Sequence, residues 1–105
     1  MVTQEIYRKL ALSLPDTTEV PHFDKQSFRW RNKIFATLWT KDNRAMLKLS
    51  AADQSVFNSF DNRIFYPVPN TWGKNGATFV ELELVREDML TDALSCAYQD
   101  LVRSS

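Results

Sequence analysis

Residues 25–49, KQSFRWRNKIFATLWTKDNRAMLKL, constrain the fold more than any other stretch, because they read as three consecutive antiparallel strands. Ser27-Phe28-Arg29-Trp30-Arg31 alternates apolar and basic residues, the period-2 signature of a strand with one buried and one wet face. Asn32-Lys33 suits a two-residue turn, since asparagine tolerates the positive φ of tight hairpins. Residues 34–39 make a second strand of β-branched and aromatic side chains, with Ala36 the exception. Residues 41–44 turn the chain into a third strand at 45–49. Two registers are open for the first hairpin. A two-residue turn pairs Trp30 with Phe35 and Arg29 with Ala36. A three-residue loop instead puts Phe28, Trp30, Ile34, Ala36 and Leu38 on one face, leaving Arg29, Arg31, Phe35, Thr37 and Trp39 on the other. The second gathers more aliphatic carbon on one side and is preferred; a slip of one residue would flip every side chain.

The same stretch holds seven of the chain's thirteen basic residues against one acid, Asp42. Net charge over the whole chain is zero, yet it is segregated: −2 over residues 1–24, +6 over 25–74 and −4 over 75–105. Acidic helix surfaces beside basic strand surfaces would give this pattern, and so would a functional basic face. A length of 105 residues suits a single domain, 1–105, with one core. The one cysteine excludes an intramolecular disulfide and favours a reducing compartment. No apolar run approaches the ~20 residues needed to span a bilayer. The N-terminus MVTQEIYRKL is amphipathic and lacks the apolar core of a secretory signal. The expectation is a cytoplasmic protein with no membrane contact.

Along the chain, Thr3 caps a first helix over residues 4–13, with Glu5 in its first turn and an apolar stripe of Ile6, Leu10 and Leu14; Pro15 stops it. Residues 16–24 read as a loop holding Pro21, the lone His22 and Phe23. After the three strands, Ser50-Ala51-Ala52-Asp53 resembles a capping box and opens a short helix over 51–60. Residues 64–68 form a fourth strand, placed at an edge or bulge by Pro67. The turn-rich segment 69–76 carries Trp72, either as a plug folded back on the sheet, the preferred reading, or as an exposed contact. Residues 78–83 form a fifth strand. The longest helix spans about 87–102, its stripe of Leu90, Leu94, Ala97 and Leu101 destined for the core together with Cys96. The expected fold is α+β: a five-stranded antiparallel meander with terminal helices covering one face and a short helix between strands three and four.

Motifs for chemistry are scarce. Metal sites need several convergent ligands, and one His with one Cys does not supply them. His22 and Cys96 are far apart in sequence, with nothing marking them as a base and nucleophile. The glycines make neither a GxxxxGK[ST] nor a GxGxxG phosphate loop. Neither enzymatic activity nor a cofactor is expected.

PHFDKQSFRWRNKIFATL (21–38), MLKLS (46–50) and YPVPNTWGKNGAT (66–78) resemble the MmcQ/YjbR family of small bacterial proteins, and the resemblance covers nearly the whole chain. Its most specific parts are Pro21-His22-Phe23, Lys33-Ile34-Phe35-Ala36 and Trp72-Gly73. It implies an α-β(5)-α fold similar in shape to type III secretion chaperones. Such proteins are often labelled DNA-binding and are otherwise uncharacterised, so the resemblance carries no catalytic residues. Asp24, Gln26 and Asn32 stand where similar proteins would have Gly, Pro and Gly; Asn32 can still serve the turn.

Two functions follow as expectations. In the first, Arg29, Arg31, Lys33, Lys48 and Lys74 contact the phosphates of DNA or another nucleic acid while Phe35, Trp39 or Trp72 stacks or wedges. Binding would be weak and salt-dependent, given zero net charge. In the second, the open sheet face serves a homodimer, another protein partner or a small ligand, because the same aromatic and arginine side chains suit interfaces.

Overall fold

A computed structural model describes all residues, 1–105. Its elements run α1 (Gln4–Leu12), β1 (Thr17–His22), β2 (Lys25–Trp30), β3 (Lys33–Trp39), β4 (Arg44–Lys48), α2 (Ala51–Phe60), β5 (Phe65–Pro67), α3 (Thr71–Lys74), β6 (Ala77–Glu81) and α4 (Glu87–Ser104). One antiparallel sheet takes the order β1-β2-β3-β4-β6-β5. The α+β class and the covered face are as the sequence implies. Neither the count of five strands nor the meander is: the supposed loop at residues 16–24 contains β1, β6 inserts between β4 and β5 so that sequential pairing fails there, and the turn-rich segment 69–76 holds the short helix α3. Proline argues against a central strand, but β1 is an edge, where the missing N–H removes no ladder bond.

The β2–β3 hairpin takes neither expected register. Its two-residue turn is Arg31-Asn32, one residue earlier, and both residues have positive φ (51° and 66°), the geometry of a type I′ turn. Trp30 therefore faces Lys33, and Arg29 faces Ile34. A bulge follows: Phe28 pairs with Ala36, so Phe35 is the extra residue. The bulge exchanges the two faces at this point. Phe35, expected on the open side, is fully buried on the helix side, whereas Ile34 turns to the open side.

The core lies between the sheet and its helices. Tyr7 of α1 meets Phe28 edge-on at 5.6 Å, and Tyr98 of α4 meets Phe35 at 5.8 Å and Trp30 at 6.4 Å. Phe57 of α2 packs on Phe65 of β5 at 5.0 Å. The Tyr7 hydroxyl, fully buried, donates to the Thr37 carbonyl at 3.0 Å, and burial pushes its pKa upward. Caps hold the helix starts: Thr3 Oγ1 accepts from Ile6 N–H, and Ser50 Oγ accepts from Asp53 N–H. Cys96 is partly buried against the core.

The start of α2 is tied to α4 by Asp100, whose carboxylate accepts from the Ser50 N–H at 2.9 Å. Partial burial, and after it the hydrogen-bonding carboxyl of Asp53, raises the pKa of Asp100 above the ordinary aspartate value. A raised pKa means that the folded state holds this proton more tightly. Its contribution to stability is complete below the unfolded value and is lost as pH rises through the folded one. Asp100→Asn keeps an acceptor for Ser50 and removes the charge. It is expected to melt no lower than the wild type at pH 7, with a weaker gain on acidification across that window. Thermal melts at pH 4, 5, 6 and 7 check this.

Candidate functional site

Alternation along the strands sends Lys25, Ser27, Arg29, Ile34, Thr37, Trp39, Arg44, Met46, Lys48, Phe79 and Tyr66 to the face that no long helix covers. An aromatic cluster closes one end of it. Trp39 meets Phe79 edge-on at 4.8 Å, and Tyr66 lies 5.7 Å from Phe79. The Arg44 guanidinium roofs the pair, 3.8 Å from the Phe79 centroid and 5.2 Å from that of Trp39. Arg44 Nη1 donates to the Tyr66 hydroxyl at 3.2 Å, and that hydroxyl donates to Glu81. Burial and then the Glu81 bond raise the Tyr66 pKa. Arg44 Nε is buried without a hydrogen-bond partner.

Trp39 is held on every side. Its indole N–H donates to Thr37 Oγ1 at 2.9 Å, and the Lys25 ammonium stands 4.3 Å from its ring centroid. Beside it a cavity of about 380 Å³ opens on the sheet face. Ile34, Thr37, Trp39 and Met46 contribute to its floor; Lys25, Lys48 and His22 supply its polar groups; Phe23, Val68, Trp72 and Ala77 complete the lining. No carboxylate lines it. Lys25 is partly neutralised by Asp24 at 2.9 Å, whereas Lys48 is exposed and has no ion-pair partner. This size is that of a small-molecule site rather than of a duplex groove.

Trp72 reaches the rim because of its neighbours. The short helix α3 packs so closely on the end of β5 that a Cβ on Gly73 would lie 1.8 Å from the Val68 carbonyl oxygen. Gln54 of α2 donates to the carbonyls of Gly73 (2.9 Å) and Ala77 (3.1 Å) and to Thr78 Oγ1. Thus anchored, α3 leaves Trp72 66 % exposed. It is not the plug that its Pro/Gly setting suggests.

Of the residues expected to contact a nucleic acid, Lys48, Trp39 and Trp72 come together at the cavity. Arg29 shares their face, its Nε donating to Ser27 Oγ at 3.0 Å. Arg31 and Lys33 lie at the hairpin turn, where the Arg31 guanidinium stacks 4.7 Å from the Trp30 centroid. Lys74 is exposed at the end of α3. Phe35 is in the core and cannot stack on anything outside. The sequence reading missed Phe23, Lys25 and the placing of His22, because treating 16–24 as a loop hid the β1–β2 hairpin that carries all three. The β-branched Thr17, Thr18 and Val20 were the local signal for a strand there.

Fold and site together define a one-sheet α+β domain, with α1, α2 and α4 on one face and a basic, aromatic-walled cavity on the other. A YjbR family model matches residues 12–100, and the chain belongs to that family. The Deinococcus radiodurans protein DR2400, described as having a DUF419 domain, is similar in structure, with a TM-score of 0.80 and 19% identity; the match covers 93% of this chain and 77% of that one. At that identity the likeness speaks for the fold. No curated protein matches. No group of three or more His, Cys, Asp and Glu side chains is placed to hold a metal, and no helix is long and apolar enough to cross a membrane.

Proposed function

We propose that the chain is a non-enzymatic binding domain that takes single-stranded nucleic acid, DNA or RNA, on its open sheet face. The observation that carries this reading is the convergence of Trp39, Trp72, Lys25 and Lys48 on one cavity without a carboxylate. The exposed Trp72 ring accepts an unstacked base beside the half-buried Trp39, and flanking ammonium groups attract phosphates. A duplex fits poorly, since the longest helix begins with Glu87 and Asp88 and offers no basic face to a major groove. His22 opens on the cavity, while Cys96 packs on the helix side of the sheet, so they do not form a base–nucleophile pair.

Anisotropy of labelled oligonucleotides tests the reading. With Lys25, Lys48 and Arg29 on three phosphates, affinity for a single strand should fall about twentyfold between about 50 and 200 mM salt. Trp72→Ala should weaken it by about 1–3 kcal/mol, the worth of one stacked base. Equal binding of duplex and single strand, or no binding at the lower salt, would sink the reading. The exposed rings of Phe23 and Trp72 support a second one, a homodimer or protein partner on the same face. Elution of the protein as a dimer that Trp72→Ala converts to a monomer would favour it.

A further inference from the structure

The two most exposed rings at the cavity, Phe23 (95 %) and Trp72 (66 %), come from opposite ends of the sheet, one from the β1–β2 turn and one from α3 beside β5. Phe23 is also strained. It is the first residue of a two-residue turn, since His22 pairs with Lys25, and its φ is 59°. Glycine takes that conformation freely, whereas a bulky side chain there is an outlier. The ring's one aromatic neighbour is His22, edge-on at 4.9 Å, and no core contact offsets either the strain or the exposure. Strain of this kind persists where a site uses it.

The cavity is equally one-sided in charge. Lys48 is unpaired, Lys25 is shared with Asp24, and neither a carboxylate nor a side-chain amide lines the space. An acceptor-rich, negatively charged ligand complements such a lining, and the walls of Trp39, Ile34 and Met46 favour an apolar, planar body.

We infer that the cavity is a pocket for one planar organic anion of about nucleotide size, its ring gripped at the rim by Phe23 and Trp72 and its anionic group on Lys48 and Lys25. The inference deepens the single-strand reading and rests on it for the choice of a nucleotide. A free nucleotide and one residue of a strand present the same chemistry. Phe23, absent from any phosphate contact, is thereby a specificity-determining residue of the site.

Tryptophan fluorescence reads the pocket, because Trp39 and Trp72 line it while Trp30 is buried under α4. The wild type is titrated with uridine 5′-monophosphate, with uridine, and with a ten-residue oligothymidylate. A saturable change is expected for the monophosphate, about tenfold weaker for uridine and weakened to the same extent by Lys48→Gln. Phe23→Gly should lose about tenfold in affinity while melting no lower than the wild type, and Phe23→Trp should restore binding. No saturable response to the monophosphate, equal affinity for uridine, or full affinity in Phe23→Gly would overturn the pocket. If the oligothymidylate still binds in that case, the single-strand reading stands without it. If neither probe binds, both fall. Binding of the monophosphate without the oligothymidylate supports the pocket and removes the strand.

Discussion

Replacing Phe35 by alanine is expected to destabilise the domain by about 3–5 kcal/mol, the range for deleting a buried aromatic side chain. Phe35 is 0 % exposed, occupies the bulge of β3 and meets Tyr98 of α4 edge-on. The ring would leave a cavity at the junction of sheet and longest helix, where Trp30 leans on the same tyrosine. Since small domains are stable by only about 5–15 kcal/mol, the loss removes a large share of the total. Urea unfolding should show a lower midpoint with an unchanged slope, and the folded fraction should keep its ligand affinity. Near-wild-type stability with impaired binding would instead return Phe35 to the ligand surface and contradict the bulge.

Gly73→Ala is expected to break the site from the other side. The new methyl would lie 1.8 Å from the Val68 carbonyl oxygen and 3.0 Å from Pro67 Cβ, so α3 must move off β5. Backbone, rather than a flexible side chain, is in the way, and overpacking costs typically about 1–3 kcal/mol. Moving α3 also breaks the Gln54 bond to the Gly73 carbonyl and displaces Trp72. Binding through Trp72 should be lost at temperatures where circular dichroism still reports a folded sheet. Gln54→Ala, which removes the anchor without a clash, should weaken binding in the same direction and by less.

The three longer helices and most strands were legible because each carries a local signature, whereas α3 falls in the segment 69–76 that reads as turns. Thr3, Ser50 and the Leu90–Leu94–Ala97 stripe announce elements that need no distant partner to be recognised. β1 was not, because Pro21 is a strand breaker unless the strand is an edge, and edge position is set by the whole sheet. The bulge at Phe35 was invisible for a related reason. Ile34-Phe35-Ala36 contains three residues that all tolerate burial, so alternation alone cannot say which is supernumerary. The packing of Tyr98 decides it. The basic middle segment was read correctly as charge, but only part of it faces one way: Lys48 reaches the cavity, while Arg31 stacks on Trp30 at the hairpin turn. Trp72 points outward because Gly73 fits against a carbonyl that lies five residues away in sequence.

We propose that ligand meets the uncovered face of the sheet. Amide proton–nitrogen shifts of the labelled protein, recorded while an unlabelled single-stranded oligonucleotide is added, test it most directly. Perturbations should centre on Phe23, Lys25, Ile34, Thr37, Trp39, Lys48 and Trp72, residues from four separate segments of the chain that come together at the cavity. Shifts confined to α4 and α1, with the open face unmoved, would contradict the account.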